Sequence, residues 1–161
     1  MIFEICVDSI AGVRAAKEAG AHRVELCADL LEGGITPSLG MIRQARTIAG
    51  VGLNVMIRPR GGDFLFDDDE LAIMRSDIET AKAEGADGVV IGLLTAAGEV
   101  DAARTRQLIA LARPLSVTFH RAFDMTPDPF RALETLIELG VDRVLTSGQE
   151  GERARRAAVR G

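Results

Sequence analysis

The chain has 161 residues, 47% of them hydrophobic, and a formal net charge of −5. That is about one domain with apolar material enough for a core, which excludes a disordered chain. No apolar run approaches the roughly 18 residues of a membrane span. No basic stripe suits nucleic acid, despite the arginines of the tail from Arg153 to Arg160. The start MIFEICVDS is a strand pattern without signal-peptide layout, so a cytoplasmic location with reduced cysteines is expected.

The first strand pattern begins near Ile2, where Phe3, Ile5 and Val7 alternate with Glu4, Cys6 and Asp8. Successive strand side chains point to opposite faces, so the apolar and reactive sets separate. A helix capped by Ser9 follows and ends at Gly20. In the second strand Val24 and Leu26 alternate with Arg23, Glu25 and Cys27, and its helix is predicted to start at Thr36-Pro37, a cap followed by proline in the first turn. In the third, Leu53, Val55 and Ile57 alternate with Asn54, Met56 and Arg58. The helix after Asp67-Asp68-Asp69-Glu70 carries Leu71, Met74, Ile78 and Ala81 on one stripe and stops at Gly85. The fourth strand, from Asp87 to Gly92, is a nearly continuous apolar run, followed by a helix from Asp101 to Pro114. In the fifth, Val117 and Phe119 alternate with Ser116, Thr118 and His120, before a helix from Asp128-Pro129 to Gly140. A sixth strand begins near Arg143, and the polar segment behind it suits the start of a sixth helix.

Strict alternation of strand and helix predicts a parallel sheet with right-handed crossovers. The strand starts lie 21, 30, 34, 29 and 27 residues apart, a cadence that suits a doubly wound sheet or a (β/α)8 TIM barrel. An open parallel sheet is covered on both faces, so its central strands read as continuous apolar runs. Most strands here alternate instead, which favours an α/β (β/α)8 barrel in one domain over residues 1–161. About six of eight strands are present, so the barrel is expected to be incomplete. Open edges invite association with further copies, and a homo-oligomer is expected.

The inward faces then gather chemistry. Cys6 and Cys27 sit on neighbouring strands, close enough for two thiolates to hold a soft metal such as Cu(I), with Met56 a third soft ligand. The plain alternative is a pair of free cysteines behaving as small buried hydrophobes. Glu4, Glu25 and His120 form a candidate proton-transfer set, or else an internal salt-bridge network in which Glu25 pairs with Arg58. The loop from Arg58 to Phe64 offers Arg58, Arg60 and Asp63 around a Gly-Gly, a candidate anion site or a tight turn. Asp124 either orients His120 or opens the turn before Pro127. Thr146-Ser147-Gly148 supplies hydroxyl and N–H donors at the end of the sixth strand.

Cys-Val-Asp-Ser at Cys6, Arg-Val-Glu-Leu-Cys ending at Cys27, Glu-Gly-Gly-Ile-Thr-Pro-Ser at 32–38, Val-Met-Ile-Arg-Pro-Arg-Gly-Gly-Asp-Phe at 55–64, Val-Thr-Phe-His-Arg-Ala-Phe-Asp at 117–124 and Leu-Thr-Ser-Gly at 145–148 occur in this order. Together they resemble the CutC family of copper-homeostasis proteins, from residue 2 to about 148. The resemblance implies a cytoplasmic (β/α)8 barrel, often oligomeric, that binds Cu(I) through Cys6 and Cys27. It also implies that the family is longer by about the last two barrel units. Copper leaves Glu4, Glu25, Arg58 and His120 without a role, so a TIM-barrel enzyme acting on a small anionic metabolite stands as the alternative. Whether the chain is an enzyme stays open. The partners expected are a copper ion or a small anion, with no nucleic acid and no membrane.

Overall fold

The computed structural model describes residues 1–149, and the arginines of the tail and the start of a sixth helix lie outside them. Six parallel strands pair in sequence order: β1 (Glu4–Val7), β2 (Arg23–Leu26), β3 (Gly52–Met56), β4 (Gly88–Ile91), β5 (Ser116–Phe119) and β6 (Arg143–Val144). Helices α1 (Ile10–Glu18), α2 (Leu39–Arg46), α3 (Asp68–Ala83), α4 (Ala102–Ala112) and α5 (Pro129–Leu139) cross between them. The sheet curls. Glu4 and Arg23 on one side and Thr118 and Arg143 on the other border a single cavity, so the two flanking strands face one another across the interior. This is the incomplete barrel expected from the strand faces. No helix among the described residues is long and apolar enough to cross a membrane.

Local chemistry sets the helix starts. Ser9 Oγ accepts the Gly12 N–H at 3.1 Å. Asp67 and Glu70 form a reciprocal capping box that satisfies two otherwise orphaned donors. Asp101 and Asp128 cap α4 and α5, the latter with Pro129 in the first turn. The predicted start of α2 at Thr36-Pro37 is displaced. Ser38 is the cap, and the Thr36 hydroxyl instead accepts the Arg58 N–H at 2.9 Å. The loop after β2 is thereby tied to the end of β3, and the helix starts two residues later.

The outward strand faces carry the core. Val24, Leu26, Leu53, Val55, Val89, Ile91, Val117 and Phe119 are buried against Val13, Ile42, Met74, Ile78, Leu108 and Leu136 of the helices. Each such side chain contributes roughly 1.5–3 kcal/mol by leaving water. The apolar run of β4 has a different reason from burial between two helix layers. Its inward positions are Gly88, Val90 and Gly92, and the space they leave is filled by neighbours. A Cβ on Gly88 would lie 2.3 Å from Asn54 Oδ1, and one on Gly92 would lie 2.3 Å from the His120 ring.

Candidate functional site

The inward side chains form two layers. The lower one holds two polar groups on either side of a cavity. Arg23 pairs with Glu4, Asn54 donates to Glu4 at 3.0 Å, and Arg143 donates to Ser116 at 2.8 Å and Thr118 at 3.1 Å. Glu4 is therefore held in structure one layer below the other proposed proton-transfer groups.

The upper layer sits where the strands end. Parallel register sets Cys6 opposite Glu25, and Cys27 follows β2 with its N–H on the Val7 carbonyl at 2.9 Å. The two Sγ atoms are 3.1 Å apart, and Cys6 Sγ donates to Glu25 at 3.4 Å. One donor atom each from Cys6, Glu25 and Cys27 lies within 4.8 Å of the others. Cys27 is buried in a small cluster with Met56 and Val90, while Cys6, on the flanking strand, is exposed. The hydrogen bond to Cys27, then burial and the Glu25 charge, push the Cys6 thiol well up. Burial also pushes the Glu25 carboxyl up, against the bond from Cys6. Two thiols, a thioether and a carboxyl in one corner make a donor set suited to a soft metal, which binds by displacing thiol protons.

Arg58 and His120 occupy the other wall of the same cavity, which encloses about 490 Å³ and is also lined by Cys6, Glu25, Met56 and Phe64. The Glu25–Arg58 pair of the salt-bridge alternative does not form among the described residues. Arg58 is 4% exposed and spends its terminal nitrogens on backbone carbonyls: Glu32 at 2.8 Å, Gly34 at 3.0 Å and Gly62 at 2.8 Å. Its guanidinium lies over the Phe64 ring at 4.9 Å, and its Nε has no partner among the described residues. Burial pushes the guanidinium below its ordinary value, and the charge of Glu32 opposes this. Glu32 makes no ion pair with it; its carboxylate sits against Gly61.

His120 is 3% exposed. Its Nδ1 accepts the Ala122 N–H at 3.1 Å, so the neutral ring carries its proton on Nε2, and Nε2 has no partner among the described residues. Burial first, then the Arg58 charge, push its pKa down to about 3. An unfolded chain protonates this imidazole near pH 6.5, so on acidification the unfolded state takes the proton first. The contribution of His120 to stability is complete above about pH 6.5 and falls toward pH 3, by about 3 kcal/mol between pH 7 and pH 4. His120→Gln is expected to remove this slope, read as the difference in urea-unfolding free energy between parent and variant at successive pH values. Parallel curves would mean that the ring is not held neutral.

Three expected members are turned elsewhere. Arg60 pairs with Glu70, bonds Asp63 at 3.0 Å and the Leu65 carbonyl at 2.8 Å, and lies over Phe66. It thereby pins its own loop to the start of α3, and Asp63 goes with it. Asp124 does not orient His120. It accepts from Thr146, from the Ser147 N–H at 2.8 Å and from the Ser147 hydroxyl at 2.9 Å. Burial opposes charge on Asp124, but these bonds hold its carboxyl below the ordinary range. The Thr146-Ser147 donors are thus consumed in tying β6 to the loop after β5. Two residues that shape the cavity were not singled out from the sequence, Gly92 and the Phe64 ring. Glycine at alternate inward positions of a strand marks close approach by a neighbour, and that signal was present in Gly88-Val-Val-Ile-Gly92.

Residues 1–158 match the CutC family. The mouse copper homeostasis protein cutC homolog is 54% identical over 147 residues, 91% of this chain and 54% of that protein. The CutC family protein of Chromobacterium violaceum is 53% identical over 158 residues, 98% of this chain and 64% of that protein. The crystal structure of the CutC protein of Streptococcus agalactiae is 37% identical with a TM-score of 0.88, over 93% of this chain and 74% of that one. The chain thus spans between half and two thirds of the length of these two sequence relatives.

Proposed function

The chain belongs to the CutC family, and we propose that it serves copper homeostasis in the cytoplasm by binding Cu(I) through Cys6 and Cys27. The observation that carries this reading is the 3.1 Å approach of the two sulfurs at the rim of the interior. Met56 is the neighbouring thioether, buried beside Cys27. Glu25, bonded to Cys6, is the base placed to receive a proton as the thiol ionises. The copper-homeostasis names of relatives sharing more than half of their aligned residues support the same reading. Self-association is part of the proposal, supported by exposed Ile5 on the flanking strand and exposed Phe130 and Ile137 on α5.

Anaerobic titration with Cu(I) against a competing chelator tests it. The parent is expected to take up one ion, and the Cys6→Ser/Cys27→Ser variant to lose at least ~100-fold in affinity, about 2.7 kcal/mol. Equal affinity would sink the proposal.

A second reading, an enzyme acting on a small anionic metabolite, is favoured by one observation. Arg58 is a buried cation with no carboxylate partner among the described residues. Arg58 would hold the anion, with His120 and Glu25 as the proton-transfer groups. An anion bound at Arg58 in metal-free protein is the outcome it requires.

A further inference from the structure

We propose that the cavity receives a small oxyanion, a carboxylate or phosphate group, on the N–H groups of Arg58 Nε and His120 Nε2, and that the Phe64 ring is the door that turns aside to admit it. This rests on the anion reading and adds the donors, the ligand class and the gate.

The donors come first. Among the buried side-chain nitrogens of the described residues, only Arg58 Nε and His120 Nε2 lack a hydrogen-bond partner. Leaving a buried donor unmet costs about 1–3 kcal/mol each, more for a charged group. Both belong to the wall of one cavity, and both are packed on one ring, with the Phe64 centroid 4.9 Å from the imidazole centroid and 4.9 Å from the guanidinium carbon. One is cationic and the other a neutral N–H donor. Together they suit an acceptor bearing negative charge, since a cation or a further donor would leave both unmet. The hydrogen bonds of the Arg58 terminal nitrogens to three carbonyls and of His120 Nδ1 to Ala122 fix the two groups before any ligand arrives. Such preorganisation lowers the ordering cost of binding.

The gate follows from the burial of those same atoms. Neither nitrogen is accessible to solvent, although each belongs to a residue that lines the cavity. Phe64 covers both. A second cavity of about 480 Å³, bordered by Leu65, Leu94, Thr95 and Gly98, shares Phe64, Gly62 and Met125 with the first. The ring therefore has a space on either side. Its backbone does not move with it, because the Leu94 N–H holds the Phe64 carbonyl at 2.9 Å and Arg58 holds the Gly62 carbonyl at 2.8 Å. Opening is a side-chain rotation, a fast event compared with loop rearrangement.

Metal-free protein in chelator-treated buffer, titrated calorimetrically with sodium oxalate and separately with sodium phosphate, tests this against sodium chloride at matched ionic strength. Oxyanion heat without chloride heat is expected, and the tighter of the two probes identifies the group as carboxylate or phosphate. Arg58→Lys and His120→Gln, each checked for folding by circular dichroism, are expected to weaken binding at least ~10-fold. Phe64→Ala is expected to tighten it several-fold, since no ring has to be displaced. The chain has no Trp and no Tyr, so Phe64→Trp supplies a lone indole whose emission is expected to shift when the oxyanion enters. If the oxyanion binds but that emission stays fixed and Phe64→Ala binds like the parent, the door is wrong and the anion reading stands. If Arg58→Lys and His120→Gln bind like the parent, the donors are wrong. If no probe binds even to Phe64→Ala, both the proposal and the anion reading fall.

Discussion

Gly92→Ala is expected to destabilise the protein by about 2–3 kcal/mol and to dislodge His120 from the cavity wall. An added Cβ would lie 2.3 Å from His120 Cε1, 2.4 Å from Nδ1 and 2.9 Å from Nε2. Real Cβ atoms do not approach so closely, so the ring or the strand must shift. The ring has little room, since it is fixed by the Ala122 N–H and packed against Phe119. The strand has none either, because the His120 N–H bonds the Ile91 carbonyl at 2.8 Å, one residue before the substitution. Removing a glycine restricts the unfolded chain and would by itself stabilise by about 0.4–1 kcal/mol. The steric term wins because it acts on three ring atoms at once. Gly40→Ala in α2, whose nearest contact would be Ser38 Oγ at 4.0 Å, is the matched control and is expected to be neutral or stabilising. Urea unfolding of both variants checks this. If Gly92→Ala melts like Gly40→Ala, the imidazole is not seated against β4.

Arg58→Met is expected to lose about 3–5 kcal/mol, because three loop carbonyls left without a donor cost about 1–3 kcal/mol each and the relieved burial of the cation offsets part of the sum. The substitution keeps much of the aliphatic volume and removes donors to the carbonyls of Glu32, Gly34 and Gly62, which belong to two different loops. It also removes the cation over Phe64. Arg58→Lys is expected to recover only part of the loss, because a single ammonium cannot reproduce a planar fork that bonds three carbonyls. Denaturant midpoints and slopes of the three proteins measure it. Full recovery by lysine would show that charge alone, and not the fork, secures the loops.

The strand faces were legible because a two-residue period separates inward from outward side chains whatever the rest of the chain does. The proximity of Cys6 and Cys27 followed from that period and from the adjacency of successive strands in parallel units. The caps at Ser9, Asp67, Asp101 and Asp128 were readable for a similarly local reason. The loop side chains were not. Arg60 is claimed by Glu70 and Asp124 by Thr146 and Ser147, partners that come from later elements and compete with the cavity for the same side chain. Spacing along the chain carries no information on which partner wins. The alternative salt bridge between Glu25 and Arg58 does not form for a related reason. The loop carbonyls reach the guanidinium, and the carboxyl turns to the thiol of its facing strand.

The order of the strands has a consequence for cooperativity. Every strand pairs with its neighbour in sequence, so the sheet is built as a linear stack of βα units. Among the described residues β1 and β6 each have one strand neighbour, and such a stack frays from its flanks and persists at its centre. Met56 and Arg58 belong to the persistent centre at β3, while Cys6 belongs to a flank. A ligand that bridges Cys6 to Cys27 would therefore act as a clasp, fastening the strand most prone to fray onto the one beside it. Occupancy would then be readable as slowed amide exchange along β1, far more than as a change at β4.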